Sequence, residues 1–283
     1  MKTVTLPDGT EVPKAGQGTW YLGENPGKRS REIEALRLGV RIGMNLIDTA
    51  EMYGDGASEE LVGEAIRPLE RSGLFLTSKV YPWNAGREHI FSSCRSSLKR
   101  LGTEYLDLYL LHWRGSVPLR ETVACMEELK ARGMIRRWGV SNFDLDDMKE
   151  LLRVPKGENC AVVQDLYHLG SRGVEYDLLP FLRQQGIPLM AYSPLAQAGG
   201  LRQALLKSAA VQTVAERHDC TRLQILLAFV LHQENVFAIP RAGQAAHVQA
   251  NCDAAKIDLT REECGLLDRE FPAPRHKVGL DMI

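Results

Sequence analysis

The sequence contains no hydrophobic run long enough to cross a membrane. Its longest apolar stretch is LQILLAFVL at 223–231, interrupted by Gln224, whereas a membrane helix needs about 20 apolar residues. Near the start, Pro7, Asp8 and Gly9 stand where a secretory signal needs an apolar core. We therefore expect neither a membrane partner nor export, and we expect a cytoplasmic protein.

Paired cysteines and a surplus of charge are also absent. The six cysteines include no C-x-x-C pair, which argues against a zinc ribbon or a thioredoxin motif and is consistent with reduced thiols. The 35 basic and 36 acidic side chains give a net charge of -1, so no basic surplus is available for binding a phosphate backbone. We expect a monomer that does not bind nucleic acid.

Two kinds of segment alternate along the 283 residues. Eight short segments rich in β-branched or aliphatic residues are predicted as strands; they are 14–20, 44–50, 74–80, 105–113, 136–143, 160–167, 187–195 and 235–242. Amphipathic segments of helical period lie between them; the clearest are 31–43, 58–66, 87–102, 119–133, 144–153 and 175–186. Ser30 and Asp144 occupy positions typical of helix N-caps.

Eight strands that alternate with helices predict an α/β fold, and eight is the number that closes a (β/α)8 TIM barrel. The residues 1–13 are predicted as an N-terminal β-hairpin and 272–283 as a C-terminal tail, within one domain spanning 1–283. The alternative is a doubly wound open sheet, which binds a dinucleotide through G-x-G-x-x-G. Gly16 and Gly18 match only part of that motif, because Tyr21 takes the place of its last glycine.

Four chemically complementary side chains follow the predicted strands, at the barrel end where catalytic residues lie. Asp48, Lys79 and His112 end three of the strands, and Tyr53 follows Asp48 in the next loop. A tyrosine pKa lies near 10, and one ammonium at about 4 Å supplies on the order of 4 kcal/mol. We therefore expect Lys79 to lower the pKa of Tyr53, and Asp48 to keep Lys79 charged.

Other chemistries fit these residues less well. A metal-dependent hydrolase would present several histidines and carboxylates together, and none of the seven histidines here forms a His-x-His pair. A serine hydrolase would need a G-x-S-x-G elbow, and a Schiff-base lysine would need a neutral Lys79, which Asp48 opposes. Proton transfer by Tyr53, without a metal, uses all four groups. His112 would hydrogen-bond a substrate carbonyl.

Two long motifs resemble the signatures of the aldo-keto reductase superfamily. They are GMNLIDTAEMYGDGASEELVGEAI at 43–66 and WGVSNF at 138–143, and the resemblance extends over nearly the whole chain, from Thr19 to the C-terminal tail. This resemblance implies a (β/α)8 barrel that binds NADPH without a Rossmann domain. It also implies that the family's catalytic Asp, Tyr, Lys and His are Asp48, Tyr53, Lys79 and His112.

The resemblance further implies the cofactor contacts. Ser141, Asn142 and Gln164 would hold the nicotinamide carboxamide, Tyr192 would stack on the ring, and Ser193 and Leu195 would line the pyrophosphate. The remaining cofactor contacts expected near these groups are Thr19, Trp20 and Asp48.

The segment 239–251 resembles the family's adenosine-phosphate loop, but it departs from the family pattern. Arg241 replaces the usual Lys, Ala242 the Ser and His247 the Arg, while Asn251 matches. Because a serine hydroxyl and an arginine are lost, the anion site is weaker near neutral pH. We expect NADPH to be preferred over NADH by a narrower margin than is usual in the family.

The resemblance predicts an NADPH-dependent reductase of aldehydes and ketones. EMYGDGASE at 51–59 and KVYPWNA at 79–85 resemble bacterial enzymes of the methylglyoxal reductase type, and the short loops suit small substrates such as 2-oxoaldehydes and aromatic aldehydes. The expected substrate contacts are Trp20, Tyr53, Tyr81, Trp83, His112 and Trp113. The alternative is an NADPH-binding auxiliary subunit of a channel, with little turnover.

Overall fold

The computed structural model describes residues 1–197 and 199–283. The chain begins with a β-hairpin, as predicted: strand β1 (Thr3–Thr5) pairs antiparallel with β2 (Glu11–Pro13). The turn between them contains Gly9, whose φ of 85° is a conformation that glycine adopts without steric cost. The hairpin residues Val4, Leu6 and Val12 pack against the barrel interior.

Eight further strands form one parallel sheet in chain order. They are β3 (Gln17–Gly18), β4 (Leu46–Asp48), β5 (Phe75–Val80), β6 (Leu108–Leu111), β7 (Trp138–Ser141), β8 (Val163–Leu166), β9 (Leu189–Tyr192) and β10 (Val236–Ala238). Parallel bridges from Ala15 to Ala238 and from Gly18 to Arg241 join the first strand to the last. All eight predicted strands are confirmed, and this closure confirms the (β/α)8 barrel over the doubly wound alternative.

Eleven α-helices lie in the described part of the chain. They are α1 (Arg29–Arg41), α2 (Ala57–Ile66), α3 (Ile90–Leu101), α4 (Leu119–Ala131), α5 (Leu145–Arg153), α6 (Leu178–Gln185), α7 (Gly200–Lys207), α8 (Ala209–Arg217), α9 (Arg222–His232), α10 (Ala245–Ala254) and α11 (Arg261–Glu270). Each of the six predicted helical segments contains a helix. Within residues 1–197 and 199–283, no helix has the length and apolar character that spanning a membrane requires.

The two predicted N-caps had different outcomes. Asp144 caps α5, because its side chain accepts hydrogen bonds from the N–H groups of Asp146 and Asp147. The prediction for Ser30 was wrong: α1 begins one residue earlier, at Arg29. A 3₁₀ turn over Pro26–Lys28, capped by the Asn25 side chain, continues directly into α1 and provides the cap instead.

The strand alternation places the polar residues inside the barrel at one end. On β4, Leu46 belongs to the interior cluster and Ile47 to the layer between sheet and helices, so Asp48 again points inward. Trp138 packs in the outer layer, and its indole N–H donates to Glu127 of α4 at 2.7 Å. That tryptophan is thus structural.

The C-terminal tail lies across the rim of the barrel. Lys277 Nζ donates to Asp146 Oδ2 at 2.6 Å, the Ser171 hydroxyl donates to the Asp281 carboxylate, and Ile283 lines the central cavity. The tail therefore contributes to the wall of the cavity that the strand ends form.

Candidate active site

The C-terminal ends of the strands surround a cavity of about 110 Å³. Eleven of the residues predicted from the sequence line it; they are Thr19, Trp20, Asp48, Tyr53, His112, Ser141, Asn142, Gln164, Tyr192, Ser193 and Arg241. These side chains come from strand ends and from the loops that follow them, so the fold concentrates polar groups in one place.

Lys79 connects the acid and the phenol of the predicted catalytic group. Its ammonium donates to Asp48 Oδ1 at 2.6 Å, to the Thr49 carbonyl at 2.9 Å and to the Tyr53 hydroxyl oxygen at 3.0 Å. All three ammonium donors therefore have partners. Because the Tyr53 oxygen accepts from Lys79, its own proton remains available for a group in the cavity.

A tight turn after β4 places Tyr53 above Lys79. The turn spans Tyr53–Gly56, and Gly54 and Gly56 have φ values of 57° and 95°. A side chain at residue 56 would be strained by this conformation, and its Cβ would lie 2.6 Å from the Arg100 side chain. Glycine at position 56 thus avoids both the strain and the close contact in the turn that positions the phenol.

The expectation that the pKa of Tyr53 lies below its usual value was wrong, although Lys79 does act to lower it. Burial raises the pKa of Tyr53 above its usual value, and the Asp48 carboxylate adds to this, so that the nearby Lys79 ammonium does not reverse the shift. Burial alone would lower the pKa of Lys79, but Asp48 and Tyr53 together raise it. Near neutral pH the site therefore holds a protonated phenol beside a charged lysine.

His112 is neutral at the same pH. It follows β6, and its ring lies 5.8 Å from the Tyr53 ring in an edge-on arrangement. Burial and the Lys79 ammonium hold the pKa of His112 well below its usual value. Its buried Nδ1 has no hydrogen-bond partner among the described residues. A neutral imidazole beside the phenol can donate one hydrogen bond to a substrate oxygen.

The groups expected to hold a carboxamide form a second hydrogen-bonded set. Asn142 has a φ of 58°; its amide nitrogen donates to the His112 carbonyl at 3.0 Å, and its oxygen accepts from the Tyr192 hydroxyl at 2.7 Å. Gln164 Nε2 donates to Asp48 Oδ2 at 2.9 Å. These contacts orient amide groups into the cavity before any ligand binds.

Aromatic rings extend the cavity toward solvent. Tyr81 stacks on Trp83 at 4.3 Å between ring centroids, and Trp113 packs edge-on against both. Trp113 also lies 4.9 Å from His112, which lines the cavity. On the other side, Trp20 lies 6.3 Å from Tyr53. Of the predicted substrate contacts, Tyr81, Trp83 and Trp113 thus form a neighbouring cluster rather than the immediate cavity wall.

The predicted phosphate-binding residues surround the start of α10. Arg241 lines the cavity, and its side chain is exposed. His247 is exposed in the first turn of α10, whose N-cap Gln244 makes no side-chain capping bond. Helix N-termini attract anions. Asn251 is buried in the same helix, while Leu195 is half-buried and does not line the cavity.

Several residues of the site were not predicted. Gly18, Met52, Ile239 and Ile283 line the cavity, and no local motif of the sequence marks Ile283 as a site residue. Asp165 follows Gln164 on β8, and its carboxylate accepts from the Phe143 N–H, next to Asn142. A signal for it does exist, since an aspartate interrupts the apolar part of the strand VVQDL. Within the described residues, no group of three or more histidine, cysteine or acidic side chains is arranged to hold a metal ion.

Comparison with known proteins identifies the family. Residues 14–270 match the model of the Aldo/keto reductase family, so the chain belongs to the aldo/keto reductase family. It is 54% identical over 283 residues to methylglyoxal reductase YeaE of Escherichia coli strain K12, covering 100% of this chain and 99% of that protein. It is 32% identical over 268 residues to glyoxal reductase of Bacillus subtilis strain 168, covering 94% and 91%.

A solved structure shares both fold and sequence. An aldo/keto reductase from Klebsiella pneumoniae, crystallised with NADP and acetate, has a TM-score of 0.97 and 52% identity, and the match covers 100% of this chain and 99% of that one. These findings confirm the predicted resemblance and the oxidoreductase class. The relatives described above are reductases, so nothing in them supports the auxiliary-subunit alternative.

Proposed function

We propose that this chain reduces small aldehydes and ketones to alcohols with NADPH, and that Tyr53 is the proton donor. The observation that carries the proposal is the Lys79 ammonium, which contacts both the Asp48 carboxylate and the Tyr53 hydroxyl beside the cavity. Support comes from the methylglyoxal reductase and glyoxal reductase among the relatives, and from the related structures crystallised with NADP or NADPH.

The cavity fits the nicotinamide cofactor. Ser141, Asn142 and Gln164 offer amide and hydroxyl groups for a carboxamide, and Tyr192 offers a ring face. Arg241 and the uncapped start of α10 offer positive charge for phosphate. When bound, NADPH supplies the hydride that reduces the carbonyl carbon.

The chain's own residues handle the proton. Tyr53 donates its hydroxyl proton to the carbonyl oxygen, and the neutral His112 ring holds that oxygen by a hydrogen bond. The resulting phenolate lies within contact of Lys79, whose charge is worth on the order of 4 kcal/mol to an anion at about 4 Å. Asp48 keeps that lysine protonated. Because the pKa of the Tyr53 phenol is raised, this group is protonated before the reaction. Lys79 then stabilises the phenolate that forms.

The surroundings of the cavity favour small or flat substrates. The nicotinamide and the substrate share a cavity of about 110 Å³, and the rings of Tyr81, Trp83 and Trp113 lie beside it. We propose 2-oxoaldehydes such as methylglyoxal, and aromatic aldehydes, as the substrate class.

NADPH oxidation should accompany addition of methylglyoxal and benzaldehyde to the purified protein. The measurement is the absorbance of NADPH in a panel of small aldehydes, dicarbonyls and keto-sugars. If the protein bound one equivalent of NADPH but turned over none of these compounds, the proposed reductase activity would be wrong and the result would favour the auxiliary-subunit alternative.

The phosphate site predicts a moderate cofactor preference. We expect a lower dissociation constant for NADPH than for NADH, and His247→Arg should tighten NADPH binding by about tenfold, or about 1.4 kcal/mol, because a guanidinium carries a permanent charge and can bind a phosphate through two N–H groups. NADH, which lacks the 2′-phosphate, is the control and should bind the variant unchanged. Equal wild-type affinities for the two cofactors would sink this assignment.

We further propose a cytoplasmic monomer with one folding domain. The six free cysteines suit a reducing compartment. Light scattering after gel filtration would measure the mass in solution.

A further inference from the structure

One buried acid near the cavity lacks a counter-charge. Asp165 lies on β8 directly after Gln164, and its exposed fraction is 0%. Its Oδ1 accepts from the Phe143 backbone N–H at 3.2 Å, whereas Oδ2 has no partner among the described residues. Burying an unpaired carboxylate is costly, so this side chain requires an explanation.

Two other buried acids differ from Asp165 because each has a cation as its partner. Asp48 and Glu59 are as fully buried as Asp165, but Asp48 pairs with Lys79 at 2.6 Å and Glu59 with Arg100 at 2.6 Å. Their cations compensate the cost of burial. Asp165 instead has only backbone donors.

Asp165 supports the turn that contains the carboxamide-binding groups. Asn142 is in a left-handed conformation, with a φ of 58°, which is uncommon for residues other than glycine although asparagine adopts it more often than most. Its N–H donates to the Gln164 carbonyl at 3.0 Å, and the next N–H, that of Phe143, donates to the Asp165 carboxylate. Because Gln164 points into the barrel, Asp165 points outward and holds the turn from behind.

The surroundings of Asp165 are negatively charged. Asp144 and Asp147, at the start of α5, are the acids that raise the pKa of Asp165. Asp165 in turn raises the pKa of Tyr192 on β9. The Arg114 guanidinium pairs with Asp147 and with Glu150, and not with Asp165. Burial, reinforced by Asp144 and Asp147 and opposed by the backbone donors of Phe143 and Asn142, raises the pKa of Asp165 to about 7. Both protonation states are therefore populated at neutral pH.

We propose that Asp165 is a positioning residue that holds the Ser141–Asn142 turn through the Phe143 N–H, and that its negative charge favours the oxidised cofactor over the reduced one. The inference rests on the proposed function. The nicotinamide ring is cationic in NADP⁺ and neutral in NADPH, whereas the phosphates are the same. A carboxylate behind the carboxamide-binding turn therefore favours only the oxidised ring electrostatically. By linkage, NADP⁺ binding shifts Asp165 toward its ionised form and releases a fraction of a proton that NADPH binding does not.

Isothermal titration calorimetry of the full chain tests this inference. Titrations with NADP⁺ and with NADPH at pH 7, each in two buffers of different ionisation enthalpy, give the protons released on binding. Subtracting the proton release measured with NADPH from that measured with NADP⁺ cancels the contribution of the 2′-phosphate, which the two cofactors share. We expect NADP⁺ to release about 0.1–0.5 proton more than NADPH, since a half-ionised group can release at most about one half.

Two variants separate the hydrogen bond from the charge. Asp165→Asn keeps an oxygen acceptor for Phe143 and removes the charge, so the proton difference should vanish while NADPH affinity is retained. Asp165→Ala removes both and should weaken NADP⁺ and NADPH alike, by about 3- to 10-fold. Asp146→Asn is the matched control, because this exposed acid pairs with Lys277 and should leave the proton difference unchanged. Thermal unfolding checks that each variant is folded.

The outcomes are distinct. Equal proton release for the two cofactors in the wild type, or a difference that persists in Asp165→Asn, overturns the role of Asp165 but leaves the reductase standing. A folded chain that binds neither NADP⁺ nor NADPH overturns the proposed function and this inference with it.

Discussion

The Tyr53→Phe variant is expected to reduce methylglyoxal and benzaldehyde about 10²- to 10⁴-fold more slowly than the wild type. Phenylalanine fills the same space but removes the hydroxyl that accepts from Lys79 and faces the cavity. The loss should appear in kcat, whereas the dissociation constant for NADPH should change little. Steady-state kinetics together with fluorescence titration of NADPH measure both quantities.

Tyr109→Phe is the matched control for the loss of a buried hydroxyl. Tyr109 is fully buried on β6, and its hydroxyl has no hydrogen-bond partner in the described part of the chain. Its removal should leave kcat within about twofold of the wild type, the scatter expected of a change that touches no reacting group. A Tyr53→Phe enzyme with wild-type turnover of every aldehyde would show that another group donates the proton.

The Lys79→Met variant is expected to lose both stability and activity. Removing the ammonium leaves the fully buried Asp48 carboxylate without its ion-pair partner, which costs about 3–5 kcal/mol of the free energy of unfolding. The phenolate of Tyr53 also loses its stabilising charge, so kcat should fall by at least about 100-fold. Denaturant unfolding at pH 7 and steady-state kinetics measure the two effects.

A double variant separates these effects. Asp48→Asn combined with Lys79→Met replaces the ion pair by uncharged groups, and most of the lost stability should return. Activity should not return, because no charge remains beside Tyr53. If Lys79→Met unfolded at the wild-type denaturant concentration, the buried pair would have little energetic role; if the double variant regained turnover, the proposed role of Lys79 would be wrong.

Most of the fold was predictable because periodicity is a local property. The strand LFLTSKV and the helix that begins after Asp144 each show their structure in a few neighbouring residues. The residues Asp48, Lys79 and His112 were predictable for a related reason: each lies at or next to the end of a strand, and parallel strands in a barrel end on the same rim. The prediction that Ser30 caps α1 was wrong because the preceding 3₁₀ turn, capped by Asn25, continues into the helix.

Energies that depend on burial were not predictable in this way. Lys79 was expected to dominate the pKa of Tyr53, but the phenol is buried within the barrel and burial has the larger effect. The pKa of Asp165 was equally unpredictable, because an aspartate within an apolar strand does not show whether the fold brings a cation next to it. The contribution of Ile283 to the cavity wall likewise depends on where the tail packs.

The sequence by itself thus determined the barrel and the four catalytic candidates, because repeated patterns specify which residues share a rim. It also showed that the segment 239–251 resembles a cofactor-binding loop, because the motif matches. Tertiary structure alone decided which protonation states those residues hold. Desolvation and the distances between charges arise only when residues far apart in the chain, such as Asp48 and Gln164, are brought into contact. They keep the Tyr53 phenol protonated and His112 neutral, and they leave Asp165 without a counter-charge.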